Sequence, residues 1–356
     1  MTRKTLTLAA ALAAAVLTTA KPISADQANP VELGQVRWHR SLPEAVPLAR
    51  EQGKPIFLLF QEVPGCLTCQ NYGHQVLSHP LIVEAIEAHF IPVVIFNNRG
   101  GQDAATLKQY SEPAWNNPVV RIVSADQSDL VPRLSGHYSR GGLVARMVDA
   151  LNKHGSPTPE YLKLLDEELS ARDRRTEKSV FAMFCFWSGE GMFGNLDGVI
   201  ATRPGYLQGH EVVEVEYDPG KLSYENLVDQ ARRHDMAGRV YARNRDQLRV
   251  AEASVGSAAQ LVRDPIRPDS EPKYYLAQTP LKYVPMTELQ AARVNAAVGS
   301  RSDFNRYLSP RQISLFQLIR QNPRAGWQDM IGQPDLIDSW QKVTDTAAAL
   351  SGNNPA

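Results

Sequence analysis

The chain has 356 residues, 43% of them hydrophobic and 21% charged. That balance excludes wholesale disorder, and the length suggests two or three domains. Lys+Arg and Asp+Glu both number 38, giving zero net charge; no basic excess exists to make a nucleic acid or an anionic membrane the main partner.

Arg3 and Lys4 precede the apolar run Leu6 to Leu17, and small residues follow to Ala20 and Ala25. This pattern predicts a secretory signal peptide over 1–25, cut after Ala20 or Ala25. Cleavage at Ala25 leaves a net charge of −3. The expectation is an exported, periplasmic or extracellular protein with no membrane insertion after cleavage. Next, Ser41 to Gln52 has helical spacing, ended by Gly53. Pro55 to Gln61 is nearly continuously apolar, as in a strand buried on both faces. Phe90 to Phe96 and Pro118 to Val123 are further strands. Asn97 to Gly101 reads as a turn, Thr106 to Tyr110 as a helical turn, and Leu143 to Leu151 as a helix.

Gly155 to Pro159 breaks the chain. Thr158 is predicted to cap a helix starting at Pro159, with Tyr161, Leu162, Leu165 and Leu169 on one face. Ser179 to Phe186 reads as an apolar strand, and Val212 to Tyr217 alternates as a half-exposed strand does. Helices are expected over Ser223 to His234 and from Val284 through Val298. After Arg301 the chain is polar and interrupted by Pro310, Pro323 and Pro334. The predicted organisation is a redox domain over 34–152, a helical connector over 153–177, a second domain over 178–285 and a helical tail over 286–356.

Three cysteines are too few for a disulfide scaffold. Cys66 and Cys69 form C-x-x-C between a buried strand and a helix. A helix N-terminus favours a thiolate, so Cys66 reads as the exposed nucleophile and Cys69 as its resolving partner. Two other readings of the pair are zinc binding with His74 or His79, and a structural disulfide. His39, His89, His137 and His154 have no ligand spacing. Gly189, Gly191 and Gly194 match G-x-G-x-x-G, but Cys185-Phe186-Trp187 separates them from the strand that a dinucleotide site requires.

Trp38 to Leu151 resembles a thioredoxin-like domain, and Val63-Pro64-Gly65-Cys66-x-Thr68 is similar to a bacterial group in which selenocysteine can replace the first cysteine. That resemblance places Pro118 opposite the cysteine pair. The chain departs from ordinary thioredoxin at Gly65 and at Pro64, which stands where a tryptophan would be.

The stretch from Phe181 resembles methionine sulfoxide reductase A. Cys185-Phe186-Trp187 is followed by Gly198-Val199-x-x-Thr202-x-x-Gly205-Tyr206, then Gly209-His210-Glu211, then Tyr217-Asp218-Pro219. The resemblance implies Cys185 as nucleophile, Glu211 as acid, and Phe186 with Trp187 as the pocket for an S-methyl group, with Tyr206 or Tyr241 substituting for an absent oxygen-binding tyrosine. Phe184 replaces the family's glycine, and two further stretches of the family pattern are absent. The implied fold is α/β overall: a thioredoxin-like domain followed by an α+β, ferredoxin-like reductase domain.

Together these readings imply reduction of free or peptide methionine sulfoxide through a Cys185 sulfenic acid, reduced again by Cys66 and Cys69 with electrons from an exported thiol–disulfide donor. No metal or cofactor is called for. The alternative is a general thiol–disulfide oxidoreductase whose second domain only holds substrate.

Overall fold

The computed structural model describes residues 29–333 and 335–352, so the predicted signal peptide lies outside the described residues. The first unit runs α1 (Leu42–Gln52), β1 (Ile56–Gln61), α2 (Leu67–Gln75), α3 (Pro80–His89), β2 (Ile91–Phe96), α4 (Gln102–Gln109), β3 (Val119–Val123), β4 (Leu134–Ser135) and α5 (Arg140–His154). Its sheet has the order β2-β1-β3-β4; β1 is parallel to β2 and antiparallel to β3. Helices cover both faces, which is why β1 is apolar at almost every position. Phe57 and Leu59 face one core; Ile56, Leu58 and Phe60 face the other.

α6 (Glu160–Arg174) follows. Its N-cap is Pro159, and Thr158 instead donates its hydroxyl to Asn152 Oδ1 at 3.2 Å, which corrects the predicted cap. The helix is no bare spacer. Its Tyr161, Leu162 and Leu165 join the core of the first unit, whereas Leu164 packs with the C-terminal helices.

The second unit runs β5 (Glu177–Ala182), α7 (Phe186–Gly194), β6 (Val199–Leu207), β7 (His210–Tyr217), α8 (Tyr224–Arg233), β8 (Arg239–Ala242), α9 (Arg245–Val255), β9 (Ala259–Leu261) and β10 (Arg267–Pro268). The strand order is β10-β6-β7-β5-β8-β9. Within it, β5-α7-β6-β7-α8-β8 is a ferredoxin-like split βαβ, with β7 inserted antiparallel between β5 and β6. Two expectations change here. β5 stops at Ala182, four residues short of the predicted strand, because the chain turns into α7 with Cys185 as N-cap. β7 is mostly buried instead of half-exposed, because it is an interior strand with packing on both faces: Val213 and Val215 enter one cluster and Val212 the other.

α10 (Tyr274–Ala277), α11 (Glu288–Ser300), α12 (Pro310–Gln321) and α13 (Leu336–Gly352) complete the chain. Thr287 and Ser309 each form a capping box, with Gln290 and Gln312. The Gln290 and Gln312 side chains are buried and bond each other at 3.0 Å. The tail is therefore packed structure. It also joins the units: the Arg311 N–H donates to Glu84 Oε1 at 2.8 Å, and the Arg311 guanidinium meets Glu87 at 2.6 Å.

Candidate redox site

In the first unit, Cys66 is the exposed N-cap of α2 and Cys69 is fully buried one turn along. Their sulfurs are 3.6 Å apart, a dithiol separation, since a disulfide measures about 2.05 Å. The two thiols are driven in opposite directions. The Cys69 N–H, followed by the Thr68 backbone and hydroxyl, donates to the Cys66 sulfur and lowers its pKa. Burial, then the neighbouring Cys66, pushes Cys69 up to about 12. The Cys69 thiol donates to Asn117 Oδ1 at 2.8 Å. The peptide bond between Asn117 and Pro118 is cis, as is the bond between Val63 and Pro64. The Cys69–Asn117 hydrogen bond holds the loop entering β3 against the pair.

Sequence reasoning missed Glu32 and Asn117. Glu32 sits in a 3₁₀ turn, Val31–Leu33, and accepts the Gly65 N–H at 2.8 Å. Gln61 ties that turn to α2, donating to the carbonyls of Glu32 at 2.8 Å and Cys69 at 3.3 Å. Nothing in the local pattern links a glutamate 33 residues upstream to the cysteine loop. Leu67 in the first turn of α2 and Trp115 in the loop entering β3 are 70% and 82% exposed, so both segments present apolar side chains to solvent.

In the second unit, Cys185 is half-exposed at the head of α7, beside a 99% exposed Phe184. β7 pairs with both β5 and β6, and this brings Glu211 to the same place: its Oε2 accepts the Phe186 N–H at 3.1 Å. Tyr206 pairs directly across from Glu211, and its ring meets Phe186 edge-on at 5.4 Å. Cys185, Glu211, Phe186, Trp187 and Tyr206 therefore form one cluster. Phe186, however, is 4% exposed and belongs to the core. Tyr241 is fully buried in the cluster with Val180 and Ala182, whereas Phe186 packs with Phe181 in the other. It therefore cannot serve as the substitute tyrosine.

Two tyrosines that sequence reasoning missed complete this cluster. Tyr274 stacks on Trp187 at 3.8 Å, covering one face of the indole. The Tyr275 hydroxyl lies 3.4 Å from Ser188 Oγ, which in turn is 3.6 Å from the Cys185 sulfur. Gly191 and Gly299 make room for Tyr275: a Cβ at either would come within 3.3 or 2.6 Å of the ring. The three glycines of the G-x-G-x-x-G match lie within α7 and its close contacts, and none belongs to a phosphate-binding loop. Lys273 holds the tyrosines in place. Its N–H and ammonium bond the buried Glu190 at 2.8 and 2.7 Å.

Among the described residues, no three of His, Cys, Asp and Glu gather as a metal site. His79 is buried at the start of α3.

Residues 37–125 match the thioredoxin-like family model. The first unit is a thioredoxin-like domain. Another segment of the chain is similar to peptide methionine sulfoxide reductases. That of Methanothermobacter thermautotrophicus is 39% identical over 15% of this chain and 43% of its own length. One from Nostoc is 32% identical over 18% and 50%, and reductase A5 of Arabidopsis thaliana is 34% identical over 19% and 32%. The chain thus spans half or less of these relatives. Among solved structures, a DsbH oxidoreductase aligns over 36% of this chain and 94% of its own, at 19% identity and a TM-score of 0.29. A thioredoxin from Thermus thermophilus aligns over 34% and 90%, at 24% identity and a TM-score of 0.30.

Proposed function

We propose that the chain reduces methionine sulfoxide at Cys185 and regenerates that cysteine with its own Cys66–Cys69 pair. The supporting observation is that Glu211 accepts the N–H of Phe186, the residue after Cys185, inside an aromatic cluster, together with the similarity to methionine sulfoxide reductases. The Cys185 thiolate attacks the sulfoxide sulfur while Glu211 protonates its oxygen, and the hydroxyl then passes to the cysteine sulfur as the bond between the two sulfurs breaks. Methionine leaves, and Cys185 holds the oxygen as a sulfenic acid. Tyr275, through Ser188, supplies the hydroxyl that the divergent sequence pattern lacks. Cys66 then attacks the sulfenic sulfur, releasing water and forming a Cys66–Cys185 disulfide. Cys69 displaces Cys185, leaving a Cys66–Cys69 disulfide for an exported dithiol donor to reduce. Carrying both units in one chain raises the local concentration of the reductant.

The test is the rate of methionine sulfoxide reduction with dithiothreitol for the full chain and for Cys185→Ser. Activity is expected to vanish in the variant; equal rates would refute the reading. In Cys69→Ser, a Cys66–Cys185 disulfide should accumulate and be visible by mass spectrometry. The exposed Leu67 and Trp115 support a second reading, general reduction of protein disulfides. It predicts insulin reduction that needs Cys66 and Cys69 and is indifferent to Cys185→Ser.

A further inference from the structure

Among the described residues, six large hydrophobic side chains stand exposed, and five of them surround the redox cysteines. Leu67 follows Cys66 in α2, and Trp115 lies in the loop that Asn117 ties to Cys69. Val31 is in the turn that carries Glu32, and Tyr138 meets Tyr72 of α2 edge-on. Phe184 precedes Cys185 and is the most exposed of the six. Exposed aromatic groups gathered in this way mark a contact surface. The two faces also carry opposite charges. Glu62 enters the Cys66 loop, and Arg267 lies over the Tyr206 ring at 4.3 Å on the Cys185 side. Neither makes an ion pair among the described residues.

The two faces do not touch in this structure, because Leu67, Trp115 and Phe184 are all open to solvent. Helix α11 fixes the units in that arrangement. On one side it packs on α6, which belongs to the core of the first unit: Glu168 accepts the Leu289 N–H at 3.0 Å, and Leu164 clusters with Leu289 and Val294. On the other side it packs on α7, where Arg293 donates to the carbonyls of Gly194 and Leu196. Glu168 and Arg293 are both buried. Parting α11 from either helix would leave a charged group without its partners, a costly step. A second molecule brings the two faces together with no such step.

We infer that Cys66 of one copy of the chain reduces Cys185 of a second copy, with Phe184 seated against Trp115 and Leu67 and Arg267 facing Glu62. This rests on the proposed reduction of Cys185 by Cys66 and adds the partner in that step. In the mixed disulfide the two sulfurs are about 2.05 Å apart, so the side chains beside each must be covered together. A two-fold pair makes both contacts at once, so each copy is donor and acceptor and the reductant stays local.

The test separates this step from sulfoxide chemistry. The chain has three cysteines, so Cys66→Ser with Cys69→Ser leaves Cys185 alone, and Cys69→Ser with Cys185→Ser leaves Cys66 alone. Cys185 in the first variant is capped with thionitrobenzoate as a mixed disulfide. The Cys66 thiolate of the second attacks the Cys185 sulfur, thionitrobenzoate departs as a thiolate, and a disulfide joins the two chains. Phe184→Ser in the acceptor, or Trp115→Ser in the donor, should slow this release about tenfold or more. Release by glutathione from the Phe184→Ser acceptor should be unchanged. Rates that do not respond to either substitution would overturn the inference. In the Cys69→Ser chain, oxidation of Cys66 and Cys185 by diamide should give a covalent dimer on a non-reducing gel. A disulfide closed within one chain would also overturn it. Sulfoxide reduction that fails while the transfer keeps its dependence on Phe184 would sink the proposed function and leave this contact standing.

Discussion

Cys66 and Cys69 lie one helical turn apart, yet their surroundings drive their thiols to opposite sides of the ordinary value of 9.0. The exposed sulfur collects the free N–H groups of the first turn, and the buried one has lost water. Alkylation by iodoacetamide should therefore modify Cys66 with a midpoint below pH 9.0, while Cys69 stays unmodified until close to pH 12; peptide mapping across pH checks this. On the proposed mechanism, the sensitive group in the second unit is Glu211. Glu211→Gln keeps an oxygen to accept the Phe186 N–H but has no proton to give, so sulfoxide reduction should fall about a hundredfold or more while substrate binding persists. Steady-state kinetics would show this as a loss in kcat. All three cysteines and Glu211 could be singled out from the sequence. Tyr275 was not, because it lies 90 residues beyond Cys185 in a stretch with no pattern of its own.

Among the elements, those with local signals match the reading closely. α8 begins after Ser223 and α11 after Thr287, where a hydroxyl caps the first turn. β1 was legible from its unbroken apolar run. The mismatches arise where tertiary contacts override the local pattern. Alternation in β7 suggested one wet face, but packing on both sides buries most of it. Glycines in helices give the clearest case. Gly73 lies within α2, where a Cβ would fall 1.9 Å from the Val31 carbonyl oxygen. Because that atom is backbone, Gly73→Ala must push α2 away from the turn that carries Glu32. The cost should be about 1–3 kcal/mol or more, measured by urea unfolding, with faster oxidation of a displaced Cys69.

For the molecule as a whole, charged contacts fasten the tail to the first unit. Burial alone would raise the Glu87 pKa, but the hydrogen bonds from Arg37 and the charge of Arg311 outweigh it and hold it below the ordinary value of 4.5. The folded state therefore favours the ionised form. Its contribution is fully present above pH 4.5 and is lost as the pH falls through the lower folded value. The wild-type urea midpoint should drop in that acid range, and Glu87→Gln should show a lower midpoint at pH 7 with a shallower acid decline.

The sequence by itself determined where the reactive sulfurs stand along the chain, the two-unit order and most helix starts. These depend on spacing and capping over a few residues, which any local window contains. Tertiary structure decided what surrounds those sulfurs, with Glu32 on the Gly65 N–H, Asn117 at Cys69, and Tyr274 and Tyr275 near Cys185, and it clamped the tail on Glu84 and Glu87. Such contacts join residues that are 30 to 230 positions apart. They form because strands must pair and helix faces must be covered, and that choice belongs to the assembled core.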